Sequence, residues 1–362
     1  MKIKFYIPAL LLFFASMCRA QENFLKSKLV NMEYVDDVEL YENDIYCAGI
    51  SYKTVIDDGN ASYAYINNYD RQTLTLKWSV KVSDEPANIV NSIARNKDKL
   101  YVLVNQGTVT SSTRNLHLSL LIMTLKGEVE EKVSIGPSFY EPCNILFEGD
   151  NLHFAYQVAE GIDYTSKRSF AVVSYNLKTK KLTSVKSAED SPKPKKILTD
   201  TSGIYLAGSF IYPRQSNILK CKDGKLSKIY LTTNKTEYVL DCYINDKTLT
   251  VVCVFPGVYG NPNSYLRYYY INTDNNLVKS VTTLPYKDLG WDEVGFNTFS
   301  TGSSTWMIVN DTAGLLKYIL LDNKGKVINT LNFTCSGITE RIMVDKDVLI
   351  IARADYMRLS KF

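Results

Sequence analysis

A unit of about fifty residues recurs along most of this chain, and it constrains the fold more than any other feature. Each copy places a short apolar run just after a polar turn. The runs are anchored by Ile45, Leu100, Leu152, Ile204, Leu249, Trp306 and Leu349, at steps of 55, 52, 52, 45, 57 and 43 residues. Each run reads as a short strand. After a loop, a further strand is expected at 62–67, 117–125, 169–177, 217–221, 266–272 and 315–321. A tight turn follows, such as Lys126-Gly127, Lys222-Asp223-Gly224 or Asp274-Asn275-Asn276, where Gly, Asn and Asp accept positive φ. A more polar strand closes each copy, at 74–82, 129–135, 182–187, 226–232, 277–284 and 327–334, with the alternation of an edge strand that has one wet face.

Short strands at this period predict an all-β fold, a seven-bladed β-propeller with four-stranded antiparallel blades. The expected blades are 35–82, 87–136, 142–189, 195–233, 237–285, 292–334 and 338–362. The last copy offers strands near 339–344, 348–354 and 356–362 but no fourth. Residues 24–32 read as a strand and are expected to fill that place, closing the ring. Residues 21–362 then form a single domain.

Residues 199–208 (Thr-Asp-Thr-Ser-Gly-Ile-Tyr-Leu-Ala-Gly) and 42–50 resemble the blade repeat of secreted bacterial β-propellers, roughly D-x-x-G-N-I-Y-V-A-G. The resemblance implies export and a propeller fold rather than a particular activity. With the leader described next, it implies a protein of the Gram-negative envelope.

The chain opens with Lys2 and Lys4, an apolar run from Phe5 to Met17, and Ala20 before Gln21. This is the anatomy of a signal peptide spanning 1–20, with cleavage after Ala20 and a secreted, periplasmic or cell-envelope destination. The run is too short to span a bilayer, which takes roughly 20 residues. Membrane attachment is expected only if Cys18 is lipidated, and Met17 is the wrong neighbour for that. Formal charge is +4 overall and +1 without Lys2, Lys4 and Arg19, so no nucleic-acid partner is expected. The basic stretch 191–196 reads as a solvated connector between blades. Six cysteines remain after cleavage, and Cys242 with Cys253, on adjacent strands, is the one disulfide expected. No cysteine or histidine spacing suits zinc, and no metal or cofactor is expected.

Catalytic signals are weak. His117 and His153 are the only histidines, and both read as strand residues in different blades. P-loop, GxSxG and HExxH patterns are absent. Candidate acid or base carboxylates are Asp36, Asp37, Glu148, Asp241, Glu293 and Glu340. Aromatic residues give the stronger signal. Connections from second to third strand, and from one blade to the next, emerge on one face of a propeller. They carry Tyr52, Tyr140, Tyr164, Tyr212, Tyr259, Tyr286 and Trp291, with Arg114, Arg168 and Arg214 nearby. Rigid exposed aromatics beside cations suit a glycan, a peptide or an envelope protein. The leading expectation is thus a non-catalytic, monomeric binding module. The alternatives are a carbohydrate-active hydrolase or lyase using loop carboxylates, and a structural part of an envelope assembly.

Overall fold

A computed structural model describes the backbone of residues 25–361, apart from 33, 56–58, 83–88, 110–113, 140–141, 162–167, 188–192, 210–215, 232–236, 256–264, 286–295, 301–305, 313–314, 323–325, 335–340, 346–347 and 353–355. Strand β1 (Leu25–Lys28) precedes the repeats. The first repeat forms β2 (Tyr34–Tyr41), β3 (Asp44–Val55), β4 (Gly59–Asp70) and β5 (Leu76–Lys81). The second forms β6 (Ile89–Asn96), β7 (Lys99–Val109), β8 (Arg114–Thr124) and β9 (Val129–Ser138). The third forms β10 (Leu146–Glu148), β11 (Asn151–Ala159), β12 (Arg168–Asn176) and β13 (Leu182–Lys186). The fourth forms β14 (Lys193–Asp200), β15 (Gly203–Ser209), β16 (Ser216–Lys222) and β17 (Lys225–Tyr230). The fifth forms β18 (Tyr238–Asn245), β19 (Thr248–Phe255), β20 (Tyr265–Asn272) and β21 (Val278–Pro285). The sixth forms β22 (Phe296–Ser300), β23 (Trp306–Thr312), β24 (Leu315–Leu321) and β25 (Val327–Thr334). The last forms β26 (Arg341–Asp345), β27 (Val348–Ala352) and β28 (Tyr356–Lys361).

Each repeat is an antiparallel meander whose strands pair in chain order. A single pair, Val158 with Ser138, joins the second and third meanders into one eight-stranded sheet. In the last repeat the fourth position beside β28 is taken by β1, with Ser27 opposite Met357 and Lys28 opposite Tyr356. The first strands of successive repeats touch from β14 to β18, β22 and β26, and β26 touches β2.

Side-chain alternation explains the stacking. On β3, Ile45 and Cys47 face one cluster while Tyr46 and Ala48 face another. On β7, Leu100, Val102 and Val104 pack against the first sheet, and Tyr101 and Leu103 against the third. Second strands are therefore buried on both faces, which is why they read as unbroken apolar runs. The clusters lie between neighbouring sheets. One holds Phe154, Tyr156 and Leu120; another holds Phe170, Leu206 and Leu219; a third holds Tyr205, Val251 and Tyr269.

Polar detail repeats as well. Two-residue turns at Glu42-Asn43, Lys97-Asp98 and Asp246-Lys247 join first to second strands, with positive φ at Glu42, Lys97, Asp246 and Lys247. Asp70 caps its turn by accepting hydrogen bonds from the Gln72 and Thr73 amides at 2.9 and 3.0 Å. Asn176 does the same for Lys178 and Thr179, at 3.2 and 2.8 Å. The fourth strands skip one residue in the ladder, at Lys77, Glu130 and Lys279. Each skipped side chain reaches the first residue of its own second strand: Lys77 to Asp44, Glu130 to Lys99, and Lys279 to Thr248. The charge signs swap between repeats while the geometry stays.

Two expectations are corrected. Residues 193–196 are not a connector but open β14. Lys193 and Pro194 pair with Ser209 and Gly208 because the Pro sits where the ladder shifts register. Cys242 and Cys253 do not form a disulfide; both remain thiols. Cys242 faces Val251 and Cys253 faces Val239, so the two are out of register along the β18–β19 ladder. Burial pushes the Cys242 thiol far above its usual range.

Candidate functional site

Antiparallel order puts the second-to-third loops and the connections into each next sheet at one end of every meander. Tyr52, Arg114 and Arg168 lie in strands near that end, at the Tyr52–Ser62, Val109–Arg114 and Ala159–Arg168 pairs. Tyr140, Tyr164, Tyr212, Arg214, Tyr259, Tyr286 and Trp291 lie outside the described residues, as do Glu293 and Glu340.

The best-defined group on this face was not singled out by the sequence. Glu237, immediately before β18, is fully buried. Its carboxylate accepts hydrogen bonds from the Tyr265 hydroxyl at 2.6 Å, the Tyr269 hydroxyl at 2.7 Å and Nη1 of Arg267 at 2.5 Å. Arg267 also lies 4.6 Å from the Tyr265 ring centroid, a cation–π contact, and Nε reaches Oγ1 of Thr283 at 3.3 Å. Tyr265 stacks on Phe255 with centroids 5.1 Å apart and planes at 12°. These two rings are register partners at the mouth of the β19–β20 connection. A buried carboxylate thus holds an arginine and an aromatic pair in fixed positions, with the Arg267 side chain one quarter exposed.

The first strands carry a second polar system. β2, β6, β14 and β18 each shift register near their start, at Val35/Asp37, Val90/Ser92, Pro194/Lys196 and Val239/Asp241. The residue after the shift ties its sheet to a neighbour. Asp37 accepts from Oγ of Ser92 and the Ile93 amide, both at 3.0 Å. Lys196 donates to Asp241 at 2.8 Å, and Asp241 also accepts from the Cys242 amide at 2.7 Å. In the third repeat Asn144 accepts from the Ile197 amide at 2.9 Å and donates to its carbonyl at 3.3 Å. These side chains satisfy edge groups of the next first strand, as another strand would. Burial works against the Lys196 charge, but Asp241 outweighs it and the ammonium is held above its ordinary pKa.

Glu39 stands two residues beyond Asp37. Burial pushes its carboxyl from 4.5 up to about 7, the Asp37 charge adds to this, and the Arg95 amide and guanidinium oppose it. The folded protein then holds this proton more tightly than the unfolded chain does. The group favours folding below about 4.5, and that contribution is lost as pH rises through about 7. Glu39→Gln is expected to stabilise the protein by about 1–3 kcal/mol at about pH 8 and to flatten the decline above pH ~5. Urea titrations across that range would show it. Equal slopes for both proteins would refute it.

The remaining candidates are engaged structurally. Asp241 is ion-paired and Asp37 is bonded to the next strand. Glu148 is exposed, 3.5 Å from His153. His153 is buried, with Nδ1 2.7 Å from Oγ of Ser174, and burial lowers its pKa while Glu148 opposes the shift. His117 lies 2.7 Å from Oγ of Ser134. Among the described residues, no three His, Cys, Asp or Glu side chains gather as a metal site.

No family model and no curated protein matches the chain. Its fold is similar to solved structures at low identity. The Neurospora crassa Pan2 WD40 domain shares 7% identity at a TM-score of 0.56, over 91% of this chain and 89% of that one. Kuenenia stuttgartiensis hydrazine synthase gives 12% and 0.58, over 92% and 97%. The β-propeller domain of the Pyrococcus furiosus Trilobed protease gives 10% and 0.52, over 91% and 94%. The repeats, the four-stranded antiparallel sheets and these likenesses give the chain a β-propeller fold.

Proposed function

We propose that this protein is an exported seven-bladed propeller, closed by its N-terminal strand, that binds a glycan, peptide or protein partner on its loop face without catalysing a reaction. The pairing of β1 with β28 and the contact of β26 with β2 support the closed ring. The leader at 1–20 supports export. The Glu237–Arg267–Tyr265–Phe255 group carries the binding reading. It is a pre-organised cation and aromatic pair at a loop mouth, and order already present in the free protein is not lost again on binding. Ligand contacts concentrate on such Tyr and Arg anchors.

The test is a glycan array and a displayed peptide library probed with residues 21–362, followed by Arg267→Gln and Phe255→Ser variants. The expected result is a specific ligand whose affinity falls at least ~10-fold in either variant, typical of a loss of more than 1 kcal/mol at an anchor. A folded protein with no ligand, or a ligand indifferent to both substitutions, would overturn the reading.

A further inference from the structure

An outermost strand leaves a row of backbone N–H and C=O groups unpaired, and charged side chains usually guard such an edge against added strands. β21 is the outermost strand of the fifth sheet. Its one charged residue, Lys279, is skipped by the ladder, and Nζ turns back to Oγ1 of Thr248 at 3.4 Å. The edge shows apolar side chains instead. Leu277, just before the strand, is 65% exposed, Val281 is 50% and Val278 is 37%. β9, β13, β17 and β25 each show a single exposed large apolar residue among those described, so the apolar edge is particular to the fifth sheet.

The fourth sheet supplies charge beside that edge. Residues 165–230 hold 14 Lys or Arg against 4 Asp or Glu, although the whole chain is only +4. Ladder register sorts these side chains by face. Ile218 and Ile229 share a cluster with Tyr269 and Ile271, so they look toward the fifth sheet. Lys220 and Lys222 follow Ile218 on the same face of β16, and Lys225 is the partner of Lys222 across the Asp223-Gly224 turn. Nζ of Lys220 reaches the Thr273 carbonyl at 2.8 Å and Oδ1 of Asn276 at 3.1 Å, in the turn that leads into β21. Lys222 and Lys225 stand one step beyond it, exposed, and neither is ion-paired with another described residue. On the facing sheet, Val281 pairs with Tyr269 and Val278 with Ile271, so both valines look back toward the fourth. The two valines and the two lysines therefore line one cleft between neighbouring sheets, floored by Ile229 and Tyr269.

We propose that an extended acidic segment of a partner protein adds to β21 as a further strand of the fifth sheet. The β21 backbone supplies the pairing, and alternate side chains of the added strand turn into the cleft. There its carboxylates meet Lys222 and Lys225, and its cross-strand neighbours cover Val278 and Val281. Like charges placed opposite each other weaken a ladder, so the added carboxylates also relieve the Lys222–Lys225 pair. A second copy of this chain fits less well, because β21 has no carboxylate to set against these lysines. The edge uses neither Arg267 nor the Tyr265–Phe255 pair and stands apart from the loop-mouth group.

The test uses residues 21–362 and two capped peptides of about ten residues, one alternating valine with glutamate and one alternating valine with lysine, a length that spans the edge. K222E/K225E is compared with a control reversed at two other exposed lysines, K97E/K126E. The expected result is that the glutamate peptide binds at least ~10-fold tighter than the lysine peptide, since like charges brought together are disfavoured. K222E/K225E should reverse that preference, and the control should keep it. Hydrogen exchange should slow within 278–285 when the glutamate peptide saturates the protein, because edge amides gain partners. Arg267→Gln should leave the affinity within about 2-fold, as expected of a separate site. An unchanged preference in K222E/K225E, an equal change in the control, protection elsewhere than in β21, or no binding of the glutamate peptide would overturn the proposal. A loss in Arg267→Gln would instead place the peptide at the loop mouth and overturn it as well.

Discussion

Glu237→Ala lowers the unfolding free energy by about 3–5 kcal/mol, the usual result of removing one partner from a buried ion pair. The carboxylate is fully buried and receives three donors, from Tyr265, Arg267 and Tyr269. Its loss leaves a partly buried guanidinium without its counter-charge and two hydroxyls without their acceptor. Glu237→Gln should cost less. The amide keeps one acceptor oxygen but turns a donor toward donors. The substitutions also reach the loop face, because Tyr265 would lose the bond that fixes its ring against Phe255. Denaturant melts followed by far-ultraviolet circular dichroism give the stability change. A loss below about 1 kcal/mol for the Ala variant would show that the cluster contributes little beyond a surface pair.

Removal of residues 21–32 is the second large effect expected. It takes away β1, which pairs with β28, and with it Leu29 and Met32, which pack on Val35, Val38, Ile45 and Tyr69 of the first sheet. Burying two such side chains stabilises a fold by about 3–6 kcal/mol together. The segment is also fastened by polar contacts. Nδ2 of Asn67 donates to the Val30 carbonyl at 2.7 Å, and the Val30 amide donates to the Tyr69 hydroxyl at 3.2 Å. One end of the segment thus belongs to the last sheet and the other to the first. Its removal should lower the melting temperature sharply and expose β28 as a bare edge that pairs between molecules. Calorimetry and size-exclusion chromatography read both effects. An equally stable monomer would show that the segment does not hold the ends of the chain together.

Much of this architecture could be read from the residues, for a physical reason. Second strands bury both faces, so 45–49, 100–104 and 249–253 are almost unbroken apolar runs after a polar first residue and stand out from their surroundings. Third and fourth strands were found by the turns between them. The first strands were the least legible. A polar residue in their middle, such as Asp37 or Lys196, looks like the end of a strand, and only the register shift shows that it serves the next sheet. Residues 191–196 read as a connector because they are basic, although 193–196 open β14.

The candidate site was less legible than the fold. Glu237 is one glutamate among 38 acidic residues, and nothing local says that Tyr265, Arg267 and Tyr269 converge on it from β20, about thirty positions later. Alternation does put 265, 267 and 269 on one face of one strand, and that was the available signal. The Cys242–Cys253 pairing failed because neighbouring strands do not imply register. Net charge misled in another way: a near-zero sum concealed a basic segment balanced by acidic ones.

The claim on which the rest depends is that the N-terminal strand completes the last sheet. Ser27→Cys with Met357→Cys places thiols on direct partners of the β1–β28 ladder. Under mild oxidation the account predicts an intramolecular bridge, visible as loss of two hydrogens by mass and faster migration without reductant. The bridge should stabilise the protein by about 2–4 kcal/mol. The pair Ser27→Cys with Arg358→Cys, one position out of register, should stay open. Failure of the first pair to bridge, or equal bridging by both, would contradict a ring closed at this edge.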